Sequence, residues 1–284
     1  MAIPRDLQSL EKTDQLRELD GLEKPAFIHN DHRWVLPILA WAQATRILPR
    51  PCLLVTFDHH TDFAKPLLAE SEEGRKLAQQ YNASPGVSTA IRVCTDHLDK
   101  LDGDWIAGGM ELGIIGDAVV LGAEIGHRCD ERQGAAYMDM QGRRHSFWPL
   151  PLPLDALSHQ AALADHYHKP EGLWEALDWK PSTGFIQSKK RLALDFDLDA
   201  FAFDTPLGPC FPWPEKIFAH QFETGSLAHS LKGMTGREFV GELVRQSSII
   251  TIAREPAYCG GEADCDEIFH LVNRYVFNDA MKAE

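Results

Sequence analysis

Cys52-Leu53-Leu54-Val55-Thr56-Phe57-Asp58-His59-His60-Thr61-Asp62 passes from an unbroken β-favouring run straight into a knot of acids and imidazoles. An apolar run of strand length without alternation predicts a strand buried on both faces, as in a parallel sheet. Pro49 and Pro51 close whatever precedes it. Upstream, Ala26-Phe27-Ile28 reads as a short buried strand, Asn30 or Asp31 can cap a helix, and WVLPILAWAQA continues as a helical apolar run despite Pro37. Downstream, Asp104-Trp105-Ile106 begins a segment and Asp117 to Gly122 reads as a third strand. Lys190 to Asp199 predicts a strand that turns acidic, and Ser248 to Ala253 another that ends before Arg254-Glu255-Pro256. Strands alternating with helical segments predict a three-layer α/β/α fold, a mostly parallel central sheet with helices on both faces. No internal repeat is visible, and residues 1–284 read as a single domain.

Three stretches are less orderly. Residues 5–24 mix apolar positions with many charges and read as a loosely attached amphipathic lead-in. Residues 63–104 are polar, with a clear loop at Asn82-Ala83-Ser84-Pro85-Gly86. From about 124 to 187 the chain is rich in Gly, Pro and His, and only a proline-rich connection, WPLPLPLDAL from Trp148, stands out.

Composition narrows the class. Hydrophobic residues make up 44% and charged residues 25% of 284, which is ordinary for a globular protein. The start lacks an apolar leader, and no stretch approaches the length of a membrane span, so a cytoplasmic protein without a membrane partner is expected. Six cysteines lack CxxC spacing, which argues for reduced thiols rather than a disulfide framework or zinc knuckle. A net charge of −14 argues against nucleic acid as partner and suits a cationic substrate, although a solvated acidic surface explains it as well.

The apolar runs end in similar chemistry: His29-Asn30-Asp31-His32, Asp58 to Asp62, Asp195-Phe196-Asp197-Leu198-Asp199, and Glu255. In open parallel sheets, functional groups gather at the carboxyl ends of strands. Alternation in an extended chain would put Asp58, His60 and Asp62 on one side, and Asp195, Asp197 and Asp199 on one side. Converging buried carboxylates repel unless a cation neutralises them. A site dominated by carboxylate oxygens with some imidazole leans toward manganese, and two such triplets hold six candidate ligands, which takes two ions to use. Such a pair activates water at neutral pH, a hydrolase design. A lone DxD is commonly a solvated turn; the apolar strands before both triplets favour the metal. His29 and His59 read as packing or hydrogen-bonding residues, and Asp195 as a ligand or as outer support. His97, His127, His145, His166, His168 and His220 read as surface or packing residues.

At these residues the sequence resembles the ureohydrolase superfamily of arginases, agmatinases and, more distantly, deacetylases. Asn30-Asp31-His32 is similar to its GGDH segment without the glycines, Asp58 to Asp62 to DAHxD with His59 in place of a small residue, and Phe196 to Asp199 to FDxD with Phe201-Ala202 where arginases have Asp-Pro. Glu255 falls where arginases keep the acid that receives the guanidinium. The resemblance implies an arginase-like fold in which His32, Asp58, Asp62 and Asp197 hold one manganese and Asp58, His60, Asp197 and Asp199 the other. It also implies that Asp195 supports from the second rank. The longer segments HNDHRWVLPILAWA, LLVTFDHHTDF, DWIAGGMELGIIGDAVVL, RLALDFDLDAF and REPAYCGG resemble the divergent branch that contains peptide arginases. The function implied is conversion of peptidyl arginine to ornithine with release of urea, with Glu255 as the catalytic and substrate-binding acid and an arginine-containing peptide as partner. Phe63-Ala64-Lys65-Pro66-Leu67-Leu68 does not match the loop with which arginases grip free arginine. The proton donor to the leaving amine is unassigned, with His97 and His127 as candidates. Competing readings are hydrolysis of a small guanidino compound, deacetylase-like cleavage of an acylated amine, and a non-catalytic binding module with a structural metal. The deacylase version needs tandem histidines beside a single zinc, and the tandem pair here, His59-His60, sits inside the metal segment instead.

Overall fold

A computed structural model describes residues 3–13, 16–101, 103–122, 135–150, 179–180, 184–185, 192–205, 208–224 and 235–282. His127, His166, His168 and most of the proline-rich connection lie outside the described residues. The strands are β1 (Arg17–Glu18), β2 (Ala26–His29), β3 (Cys52–Phe57), β4 (Ile115–Leu121), β5 (Ala135–Met138), β6 (Arg144–Leu150), β7 (Trp179–Lys180), β8 (Gly184–Phe185), β9 (Leu192–Asp197), β10 (Ala202–Thr205), β11 (Gly208–Pro212) and β12 (Ser247–Ala253). Eight of them form one sheet in the order β1-β2-β12-β9-β3-β4-β6-β5. From β2 to β6 every neighbouring pair is parallel, and only the edge strands β1 and β5 run antiparallel. The protein is thus α/β with a large, mostly parallel central sheet. β7 pairs with β8 and β10 with β11 outside it.

The pleat sorts the side chains into two hydrophobic clusters. Leu53, Val55 and Phe57 of β3 and Leu192, Leu194 and Phe196 of β9 join one, with Phe239, Val240 and Leu243 from the helix Gly236–Gln246 and Ile268 and Val272 from the helix Glu262–Phe277. Cys52, Leu54 and Ala193 join the other, with the helices Val35–Ala44, Glu72–Ala83, Val87–Asp96 and Trp105–Glu111. Pro37 is harmless where it stands, in the first turn of its helix, because its missing N–H would have no partner there. Among the described residues Pro149 of β6 pairs with Val120 of β4 alone, and no described second ladder reaches it.

Two expectations change. The lead-in is not loosely attached: Leu7, Leu10, Leu16 and Leu19 are buried, and β1 pairs with β2. Its charges sit on the outer side of a helix, Gln8–Thr13, that packs with an apolar stripe. The polar stretch 63–104 holds two helices, Glu72–Ala83 and Val87–Asp96, each burying one face.

β3 continues to its neighbour β4, whereas β9 continues through the helix Gly236–Gln246 to β12 on the opposite side. The chain therefore leaves the adjacent carboxyl ends of β3 and β9 in opposite directions. A crevice opens at such a switch point, which is where ligands bind in open α/β sheets.

Candidate metal centre

The four strands that end in acids or histidines, β2, β12, β9 and β3, are consecutive in the sheet. Their carboxyl ends therefore lie side by side along one edge of the sheet. The ladders run on into the site: Asp58 N–H donates to Leu121 O, Arg254 N–H to His29 O and Glu255 N–H to Asn30 O. On the far side of the sheet, Phe57 and Phe196 are register partners with stacked rings 4.9 Å apart, fixing the residues just before Asp58 and Asp197. Such a pair contributes about 0.5–1.5 kcal/mol beyond its buried area.

His32, buried, is the centre of one group. Its Nδ1 lies 2.9 Å from Asp197 Oδ2, 3.1 Å from Asp62 Oδ2 and 3.7 Å from Asp58 Oδ2. Its Nε2 lies 2.7 Å from Asp195 Oδ2. Register explains that last contact. Thr56, Asp195 and Thr251 stand side by side on β3, β9 and β12, and both hydroxyls donate to the Asp195 carboxylate, at 2.7 and 2.5 Å. An acceptor so supplied can take the Nε2–H of His32, which with an ion bound would leave the Nδ1 lone pair as a ligand. Burial alone would raise the Asp195 pKa, but the charge and hydrogen bond of His32 and the two hydroxyls hold it below the usual carboxylate value. Asp195 therefore sits behind His32 rather than among the ligand oxygens.

The second group lies toward the opening. His60, with its side chain 48% exposed, places Nδ1 2.8 Å from Asp199 Oδ2, and the His59 backbone N–H donates to Asp199 Oδ1 at 3.1 Å. The His60 backbone N–H donates to Asp58 Oδ1 at 2.6 Å, and the Asp199 N–H to Asp197 Oδ1 at 3.0 Å. Three sets of ligand atoms lie close enough to share an ion: His32, Asp58 and Asp197; Asp58, His60 and Asp199; Asp197, Asp199 and Glu255. Asp58, Asp197 and Asp199 each appear in two sets; Asp62, beside His32 Nδ1, appears in none. Glu255 is 7% exposed, and its Oε1 accepts the His32 backbone N–H at 3.3 Å.

Strand alternation is not what brings these groups together. β3 stops at Phe57 and the acids follow in a loop, where Asp62 adopts φ +47°; β9 stops at Asp197, and Asp199 reaches inward from the turn Leu198–Phe201. Glu255, at φ +42°, is also left-handed. Non-glycine residues held there cost of order 1–3 kcal/mol and cluster at functional sites.

The electrostatics call for a cation. Burial and the charges of Asp62 and Asp199 push the Asp58 carboxyl well above its usual range. Burial and the Asp199 charge push Asp197 up to about 7. His32 Nδ1, Asp58 Oδ2 and Asp199 Oδ2 are buried and make no well-directed hydrogen bond, although His32 Nδ1 and Asp199 Oδ2 lie in close ion pairs. Without an ion, burial notwithstanding, the surrounding acids hold the His32 imidazole well above its usual pKa, and the bond to Asp199 raises His60 to about 9. Divalent ions held by these sets would meet the three atoms and return both acids to the charged form. The donor set of carboxylate oxygens and imidazole nitrogens fits such an ion, and no thiol belongs to any of the three sets.

His29 is buried with its Nδ1 on Asp31 O, and burial lowers its pKa to about 4. His97 caps the helix Val87–Asp96 and His145 bonds Gly116 O and Asp139; neither belongs to the three sets. Sequence reasoning passed over Thr56, Thr251 and Trp105. The threonines carried a signal, as the hydroxyls within the apolar runs Leu-Leu-Val-Thr-Phe and Ile-Ile-Thr-Ile-Ala. Trp105, whose indole N–H donates to Asp62 Oδ2 at 2.6 Å, lies 43 residues from its partner and carried none. Neither the protein-family models nor the curated proteins compared with the chain give a match.

Proposed function

We propose that this chain is a binuclear metallohydrolase that binds two divalent cations, manganese foremost, and converts arginine residues within a peptide to ornithine with release of urea. The observation that carries the reading is the convergence of three overlapping sets of buried or half-buried carboxylate and imidazole atoms, around His32, Asp58, Asp197 and Asp199, at the switch point of the sheet. Taking the two hydrophobic clusters as outer layers gives the three-layer α/β/α arrangement of arginase-like proteins, and the motif resemblance points the same way. On this reading His32, Asp58, Asp62 and Asp197 hold one ion, and Asp58, His60, Asp197 and Asp199 the other.

Bound ions supply Lewis acidity and lower the pKa of water. The chain's own residues supply the rest. Asp195, held by Thr56 and Thr251, keeps the His32 lone pair aimed into the site. Glu255 anchors the substrate: a guanidinium is planar, always charged and presents a fork of donors that a carboxylate can accept in parallel. In the reaction, water adds to the guanidinium carbon, the bond from that carbon to the side-chain nitrogen breaks, and the amine leaves protonated with urea as co-product. The departure of Phe63 to Leu68 from the loop that grips free arginine, with the resemblance to peptide arginases, favours an arginine whose backbone is already amide-bonded.

The test is urea release by the manganese-loaded protein from an arginine-containing peptide, compared with free arginine and agmatine. The peptide should be turned over far faster, with arginine becoming ornithine by mass spectrometry. Glu255→Gln should lose most of that rate while keeping both ions. Loss of an ion in this variant would make Glu255 a ligand instead of the anchor. Preference for a small guanidine would overturn the peptide substrate, and no turnover of any guanidine would overturn the reaction.

A further inference from the structure

Asp62 is the one candidate ligand of the inner group held in a left-handed backbone conformation, and the segment that holds it is far away in sequence. Ile106 N–H donates to Asp62 O at 3.2 Å, and Trp105 Nε1–H donates to Asp62 Oδ2 at 2.6 Å. Ala64 N–H donates to Gly103 O at 2.8 Å. The Asp104 carboxylate accepts the N–H groups of Leu67, at 2.8 Å, and of Asp99, at 2.9 Å. Residues 103–106 thus clasp the loop 62–67 along its length. Trp105 is fully buried, and its ring lies 4.6 Å from the His32 imidazole. A buried indole N–H must find an acceptor, and here the acceptor is a candidate ligand oxygen. Among the described residues the outer group shows no such brace: the bonds that Asp58, Asp197 and Asp199 accept from backbone N–H groups come from His60, Asp199 and His59, inside the ligand segments themselves.

We propose that Trp105 is a positioning residue that sets the affinity of the inner cation by fixing the Asp62 carboxylate through its indole N–H. This rests on the two-metal reading above. Trp105→Phe keeps an aromatic ring in the buried position while removing the donor and part of the ring volume, so the double variant is needed to separate the donor from packing.

The experiment is calorimetric titration of chelator-stripped protein with manganese chloride, for the wild type, Trp105→Phe, Asp62→Asn and the double variant. Trp105→Phe is expected to weaken one of two bound ions by about 10–100-fold, the range for losing a residue that orients a ligand, and to leave the other at wild-type affinity. The double variant should bind that ion no more weakly than Asp62→Asn alone, because the effect passes through Asp62. Wild-type affinity for both ions in Trp105→Phe overturns the proposal. So does equal weakening of both with additive loss in the double variant, which marks a general packing role. A measurement on the unaltered chain covers a variant that does not fold. With indole nitrogens labelled, manganese should broaden at least one of the seven tryptophan N–H signals at the first equivalent, and no change in any of them overturns the proposal. Wild-type protein that binds no divalent ion overturns the two-metal reading and this role together, whereas two ions bound alike in wild type and variant overturn this role alone.

Discussion

His32 and His60 belong to two ligand sets that share Asp58, yet the protein treats them differently. His32 is wholly buried and gripped from behind by Asp195, itself fixed by hydroxyls from two neighbouring strands. His60 is half exposed, and its ring is bounded by the edges of His59 at 5.2 Å and Tyr258 at 5.4 Å. One corner of the site is braced by the sheet and the other by loops. A ligand whose orientation is fixed before binding loses less freedom on binding, so the inner cation should be the tighter and the slower to leave. Two-metal sites are often drawn as symmetric. Here the supports are unequal although the ligand types are alike.

The largest effect should come from the residues that both corners share. Asp58→Asn or Asp197→Asn should abolish turnover and reduce binding of both ions, read by elemental analysis after gel filtration. The sheet should survive, because the Asn oxygen can still accept the backbone bond from His60 or Asp199. The metal-free Asp58→Asn protein should even melt at a higher temperature than metal-free wild type, since it lacks the carboxyl that burial, Asp62 and Asp199 disfavour. Turnover at the wild-type rate in either variant would remove these residues from the site.

A smaller and more selective effect separates Asp199 from Asp195. Asp199→Ala should lose the outer ion outright, because it deletes a ligand atom. Asp195→Ala leaves every ligand in place and frees the His32 ring, so the inner ion should weaken by about 10–100-fold while the outer one holds. Titration by calorimetry reads both. If the two variants lost the same ion to the same extent, the distinction between braced and loop-held corners would fail.

Much of this was legible in the chain because the strands are buried on both faces. An unbroken run such as Cys52 to Phe57 or Ser248 to Ala253 has few readings, and the acids that follow mark the strand end. Register across strands was not legible: nothing local says that Thr56, Asp195 and Thr251 stand in one row. Alternation also misled, because the chain leaves the strand at Phe57 and at Asp197, and turns bring Asp62 and Asp199 inward. One-sided helices were hidden by their charged faces, although Val87, Ala90 and Cys94 carry the helical spacing and Ser71 accepts the capping bond from Gly74. Thr235 and Glu238 likewise form a capping box whose pattern is readable from sequence.

The smallest effect should come from His59, the neighbour of a ligand in a tandem pair. Its contribution to the site is made by the backbone: the N–H donates to Asp199 Oδ1, and any residue but proline supplies that group. Its ring stands edge-on to that of His60, with centroids 5.2 Å apart. His59→Ala should therefore keep both ions, with the outer one shifted by a few-fold at most, since an edge-to-face contact is worth about 0.5–1.5 kcal/mol. His60→Ala, one residue along, should lose the outer ion, because Nδ1 is the only ligand atom it offers that group. The adjacent pair thus tests the comparison at its finest grain, with residue type and position nearly constant and only the direction of the side chain changed. Equal losses at His59 and His60 would mean that both imidazoles face metal, and the outer corner would have to be redrawn around a histidine pair.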